Sequence, residues 1–212
     1  MRLSLAATGL VAALVLAAPV QAAGLSGMGA NLFGNYFHFG APNLKKPPVK
    51  AITAGGMHME LQHTQLAAIK KQFGGQIRTQ GSGNGIANWL CYHTDKGQPS
   101  NTWFISNALG GGDFMMIVAV QAAREGDVPG DCDAAPTRFT APDLGIPGLG
   151  ASSAELKSAF GAANGSKLAY RADAPAADAL GTANTAQYIG YLLSGGRVAA
   201  YGAGETTVNA VH

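Results

Sequence analysis

The sequence predicts an α+β protein of two tandem repeats, each a short helical segment followed by an antiparallel β-sheet. Three observations carry that expectation. Two short helix patterns recur 87 residues apart, since Ile69, Lys70 and Phe73-Gly74 align with Leu156, Lys157 and Phe160-Gly161. Strand-like runs recur in the same order, "LCY" (90–92) with "LAY" (168–170), and "FISNALGGGDFMMI" (104–117) with "YIGYLLSGGRVAAY" (188–201) at a shift of 84. The 30 glycines and the 12% charged fraction fit many turns joining short strands.

The elements follow in chain order. Arg2, the apolar "LSLAATGLVAALVLAAPV" and the small residues Ala18, Val20 and Ala22 form a secretory signal over 1–22, cleaved after Ala22. No other stretch approaches the roughly 20 apolar residues of a membrane span. With no Cys beside the cleavage site, lipid attachment there is excluded. Residues 23–55 are an arm and linker rich in Gly, Pro and aromatics, with Phe33, Tyr36, Phe37 and Phe39 around His38 and a break at Pro47-Pro48. Repeat one spans 56–122. Its helix lies in "HTQLAAIKKQFGG" (63–75), with Thr64 as candidate N-cap, Leu66, Ile69 and Phe73 on one face, and Gly74 at the end. Three strand segments follow: "IANWLCYH", "TWFISNAL" and "DFMMIVAVQ", the last two joined by Gly110–Gly112. Residues 123–140 are a linker carrying Cys132. Repeat two spans 141–208, its helix opened by Ser152 or Ser153 with Glu155 in the first turn and closed by Gly161.

The glycines at 81, 83 and 85 do not make a phosphate cradle. A dinucleotide fingerprint needs a third glycine where Ile86 stands and a helix after it, and a P-loop needs Gly-Lys-Ser/Thr. The expectation is slack between a helix and a strand.

Without its signal the chain has 13 Lys and Arg (14 minus Arg2) against 12 Asp and Glu, which gives no reason to expect a nucleic acid or an anionic membrane as partner. Cys91 and Cys132, two cysteines in an exported chain, pair as one disulfide. A Cys91–His93 nucleophile is the weaker reading, because an oxidising compartment consumes the thiol.

Strand alternation sorts the side chains. Leu90, Tyr92, Leu168 and Tyr170, with Phe114, Met116, Val198 and Ala200, are expected to face the helices. Trp89, Cys91 and His93, with Ile117 and Tyr201, then share the opposite face. An exposed face bearing Trp and Tyr suits protein recognition, so Trp89, His93, Trp103, Tyr188 and Tyr201 are the candidate binding residues. The competing reading packs both tryptophans inside.

Catalytic and metal patterns are weak. "HMELQH" offers His58, Glu60 and His63, but not as H-E-x-x-H. Ser100, Ser106 and Ser194 lie outside any G-x-S-x-G elbow. Asp127, Asp131 and Asp133 lack the twelve-residue calcium-loop pattern, and a solvated linker is expected there. No cofactor, metal or catalytic residue is assigned.

Gly150, Ser152, Glu155, Leu156, Phe160 and Gly161, followed by the strands of repeat two, resemble the helix-and-sheet unit of the beta-lactamase inhibitor protein and of the BamE-type outer-membrane assembly lipoproteins. The resemblance covers about residues 57–207, and its duplicated form is nearer the inhibitor. It departs at Gln62-His63-Thr64, where a glycine-containing entry is expected, and in lacking the lipid-bearing Cys. It implies two packed units with a concave sheet face and a non-enzymatic role, inhibiting a hydrolase or scaffolding an envelope complex.

The expectation is therefore a periplasmic or secreted, non-enzymatic protein-binding module whose partner is a protein. The alternative is a small exported enzyme or metal-binding protein using His93 with His58 or His63.

Overall fold

The computed structural model describes residues 24–35, 40–161, 164–176 and 183–209. The predicted signal over 1–22, the aromatics Tyr36, Phe37 and Phe39 with His38, and His212 lie outside them. The fold is α+β, with three short helices on a mostly antiparallel sheet.

Two of the three described helices, the second and third, form where the apolar spacing predicts, whereas α1 (Gly27–Gly34) forms in the segment expected to be an arm. In α2 (Leu66–Phe73) the buried residues are Leu66, Ile69 and Phe73, and Gly74 closes it at φ +79. The expected cap at Thr64 is not made. Gln65 is the N-cap and makes no side-chain cap bond, while Thr64 Oγ1 accepts the Glu60 N–H. In α3 (Ser153–Phe160), Ser152 and Glu155 form a full capping box that holds the Glu155 carboxyl below its ordinary range, first through the Ser152 backbone N–H.

The eight-stranded sheet has path order β3 (Arg78–Gln80), β4 (Ala87–Thr94), β5 (Ser100–Asn107), β6 (Ile117–Ala122), β10 (Arg197–Asn209), β9 (Ala183–Ser194), β8 (Lys167–Pro175). Two meanders, β4–β5–β6 and β8–β9–β10, therefore meet through their last strands, Ile117 opposite Gly204 and Gln121 opposite Ala200. β3 pairs with Ala87–Trp89, and β7 (Asp133–Ala134) pairs in parallel with Tyr92 and His93, so both cover the same edge of β4. A separate hairpin joins β1 (Ile52–Ala54) to β2 (Met57–Met59).

Both faces of the sheet are covered, which is why β5 is buried along its whole length. On one face Leu90, Tyr92, Phe104, Val118, Tyr170, Ile189 and Tyr191 pack against α2, α3, the β1–β2 hairpin and Phe139. On the other, Trp89, Cys91, Trp103, Ile105, Ile117 and Tyr188 pack against Leu25, Met28 and Leu32 of an N-terminal helix, α1 (Gly27–Gly34), and its entry.

Several expectations are corrected. The glycine run is not slack. It turns the hairpin between β3 and β4, with Gln80 opposite Ala87, and a Cβ at Gly81 would stand 2.3 Å from the Gly85 carbonyl oxygen. The 123–140 segment is not a solvated linker, since Asp131 and Cys132 are buried and Phe139 packs among Phe73, Tyr92 and Phe104. The third strand of the first meander starts at Ile117, leaving Phe114 exposed and Met116 on the α1 face. Ala200 and Tyr201 exchange faces. A register shift between Val198 and Ala200 puts one extra residue in β10, so Tyr201 joins Val198 on the α2/α3 side and Ala200 turns towards α1.

Candidate recognition site

None of the five predicted binding residues is more than 5% exposed. The exposed aromatic face expected of them is absent because α1 lies over it. Trp89, Trp103 and Tyr188 share that face. Tyr201 lies on the other, stacked on Tyr191 at 6.0 Å with its hydroxyl donating to the Pro142 carbonyl, and burial pushes its phenol up to about 12. His93 is buried at the end of β4, bonded to Asn101 Oδ1 at 2.8 Å and Asp95 Oδ1 at 2.9 Å. Asp95 also accepts the Gly126 N–H, which is the larger cause of its lowered pKa. This chain of bonds ties the β4–β5 turn to the segment after β6. It leaves His93 engaged on both ring nitrogens.

Cys91 and Cys132 form the expected disulfide. Cys91 lies directly opposite Trp103 and shares a face with Trp89, so the sulfurs pack among indoles. Next to Cys132 stands Asp131, which sequence reasoning placed in solvent. It is 1% exposed. Its carboxylate accepts from Trp103 Nε1 at 2.9 Å, Ser26 N at 3.0 Å and Ser26 Oγ at 2.7 Å, and its carbonyl takes the Trp89 indole N–H at 3.4 Å. Beyond it Asp133 takes a bidentate pair from Arg78 at 2.9 and 3.0 Å, which holds its carboxyl below the usual range and joins β7 to β3.

The other candidate residues are not brought together. His58 bonds Thr53 Oγ1 at 3.2 Å, and His63 lines a cleft of about 290 Å³ with Lys50, Glu60 and Glu205. Among the described residues no three His, Cys, Asp or Glu side chains are grouped to hold a metal ion.

What the sequence reading missed is an exposed apolar pair. Leu109 (54% exposed) and Phe114 (38%) flank the glycines between β5 and β6, beside a hollow of about 300 Å³ that also takes in Gln62, Gly110, Asp113 and Met116. The loop is braced. Asn107 Oδ1 accepts the Gly110 N–H, Asn88 Nδ2 donates to the Gly112 carbonyl, and Gly111 and Gly112 adopt positive φ. At its far end Met115 exchanges backbone bonds with Thr64 and Gln62. Gln62 is the single described non-glycine residue at positive φ (63°), and its side chain is fixed between Glu205 and Thr207. The sequence carries part of the signal, a Leu and a Phe bracketing three glycines, but both fall in the expected strand segments, with Phe114 on the helix-facing side.

Compared with protein-family models, with curated proteins and with solved structures, the chain finds no match in any of the three.

Proposed function

We propose that the chain is an exported, non-enzymatic protein-binding module of two duplicated helix-and-sheet units, and that it engages its protein partner through the β5–β6 loop. The carrying observation is the exposed Leu109–Phe114 pair on a loop whose backbone is already fixed. Large apolar side chains presented on a pre-ordered loop lose little conformational entropy when a partner covers them. The duplication rests on the matched helices and on the two meanders meeting β6 to β10. Export rests on the N-terminal sequence pattern and is compatible with a buried disulfide. No helix among the described residues is long and apolar enough to cross a membrane. The role of inhibitor or envelope scaffold rests on the sequence resemblance alone.

The test is capture from an envelope extract by the mature chain beside its Leu109→Asp/Phe114→Asp variant, followed by binding of the purified partner to both. A partner bound by the parent, and at least tenfold weaker with the variant, supports the reading. Equal affinity for both chains sinks it.

A further inference from the structure

α1 is a helix that does not sustain itself. Its eight residues fall below the roughly 12–15 that an isolated helix needs in water. Three of them, Gly27, Gly29 and Gly34, are glycines, and the one inside the helix, Gly29, costs about 1 kcal/mol relative to alanine. Ser26, at the N-cap, makes no side-chain bond to its own helix.

The sheet supplies what the helix lacks. The N–H groups of Leu25, Ser26 and Met28 are accepted by Gln80 Oε1 at 2.8 Å, Asp131 Oδ2 at 3.0 Å and Gln121 Oε1 at 2.8 Å. These acceptors come from β3, from the segment carrying Cys132, and from β6. The bonds to Ser26 and Met28 answer orphan donors of the helix N-terminus, with a carboxylate at its positive end, and the bond to Leu25 fixes the entry before the cap. Shape is matched as closely as polarity. A Cβ at Gly29 would stand 2.8 Å from Trp103 Cγ, and one at Gly27 would stand 2.7 Å from Gln121 Oε1 and 2.9 Å from Trp103. Underneath, Gly202 clears room for Leu32, whose Cδ1 would lie 2.5 Å from a Cβ there. Five features thus read one short pattern: serine, two glycines spaced by one residue, then leucine three further on.

The seat is also reached by a generous connection. Asn35 lines a hollow with Lys167, Leu168 and Ala169, and Asn43 Nδ2 donates to the Ala169 carbonyl, so both described ends of the return path lie on the β8 side of the sheet. Seven residues join them and span up to about 25 Å when extended.

We propose that the face bearing Trp89, Trp103 and Tyr188 is a receptor for the Ser26–Phe33 segment, filled in cis by α1 and able to take the same segment from a second copy of this chain. It is an interaction surface distinct from the β5–β6 loop and independent of that loop's role. Two full-length mature variants test it. In the acceptor, Gly29→Val drives a side chain into Trp103 and unseats its own α1. In the donor, Gln80→Ala/Gln121→Ala removes two of the three N-terminal acceptors but keeps the segment intact. Each alone is expected to run as a monomer by light scattering, and the mixture as a heterodimer. A labelled peptide of residues 23–35 is expected to bind the acceptor at least tenfold tighter than the same peptide carrying Gly29→Val. Sheet circular dichroism and the absence of free thiol establish that the acceptor is folded. A folded acceptor that binds neither donor nor peptide, or binds both peptides alike, overturns the proposal.

Discussion

Asp131 is the residue on which the α1 side of the molecule turns, and its removal has a cost that can be worked out. Replacing it with alanine strips the acceptor from three donors. Trp103 Nε1 is buried and has nowhere else to turn, which costs about 1–3 kcal/mol for a stranded donor. The two Ser26 donors are half-buried and recover water in part, so each loses about 0.5–1.5 kcal/mol. Relief of a desolvated carboxylate works in the opposite direction, and the net is a loss of about 2–4 kcal/mol. Asp131→Asn keeps one acceptor and turns an amide N–H₂ towards a donor, so it should lose about half as much. The two contributions separate in a double-mutant cycle with Trp103→Phe, where the coupling should be about 1–3 kcal/mol. Urea unfolding followed by circular dichroism gives the global figure, and hydrogen exchange of the α1 amides gives the local one. If Asp131→Ala lies within about 0.5 kcal/mol of the parent and α1 remains as protected, the carboxylate does not hold the helix.

Other expectations are briefer. Trp89→Ala, which an exposed recognition face would tolerate, should cost about 3–5 kcal/mol in urea unfolding, because the indole is interior; a loss below 1 kcal/mol would contradict its placement. Joining residues 41 apart, the disulfide should contribute about 4 kcal/mol through loop closure. Its reduction should raise tryptophan emission, since a disulfide quenches an indole it touches, and unchanged emission would contradict the Cys91–Trp103 contact. Asp133 has a folded pKa lowered first by the Arg78 hydrogen bond, so its contribution is complete above the ordinary carboxylate pKa near 4 and is lost as pH falls through the lower folded value. Asp133→Asn should therefore lower stability at pH 7 and flatten the acid limb, and an unaltered limb would remove the ion pair from the account.

Legibility in the sequence followed the range of the forces involved. Helix α3 was readable to within one residue, its cap open between Ser152 and Ser153, because its capping box is local: Ser152 and Glu155 are three positions apart and satisfy one another. The disulfide was readable because two cysteines leave one pairing. The faces of β4 and β8 were readable, but those of Phe114 and Met116 were not, because β6 starts only at Ile117. In β10 one extra residue near Ala199 reversed the parity and carried Tyr201 to the opposite face. Nothing in "GRVAAYG" announces a bulge, since its cause is the partner strand. Asp131 was misplaced for a related reason. A carboxylate is buried only when its donors are in place, and those donors are Ser26, 105 residues earlier, and Trp103. The cover over the aromatic face was hidden too, because α1 has almost no intrinsic helical signal and forms only against the sheet.

That cover decides where a partner can bind. A recognition surface on the sheet needs a free face or a free edge; among the described residues both faces are covered, and segments engage part of the edges of β8 and β4. The face on the α2/α3 side is core, and the opposite face holds α1. The outer edge of β8 is occupied by Asn43 and Leu44, whose N–H groups donate to the Arg171 carbonyl while Asn43 Oδ1 accepts the Arg171 N–H. β3 and β7 occupy the outer edge of β4. The proposed recognition is placed at the strand ends, where Leu109 and Phe114 are two of the three large apolar side chains exposed among the described residues, Val128 being the other. Because the loop is held by Asn88, Asn107 and its glycines rather than by these two side chains, Leu109→Asp/Phe114→Asp should change unfolding stability by no more than about 0.5 kcal/mol per site. Parent-like unfolding with lost binding would separate recognition from folding. A variant that unfolds several kcal/mol more easily would instead make the pair part of the core, and the loop would lose its claim as the binding surface.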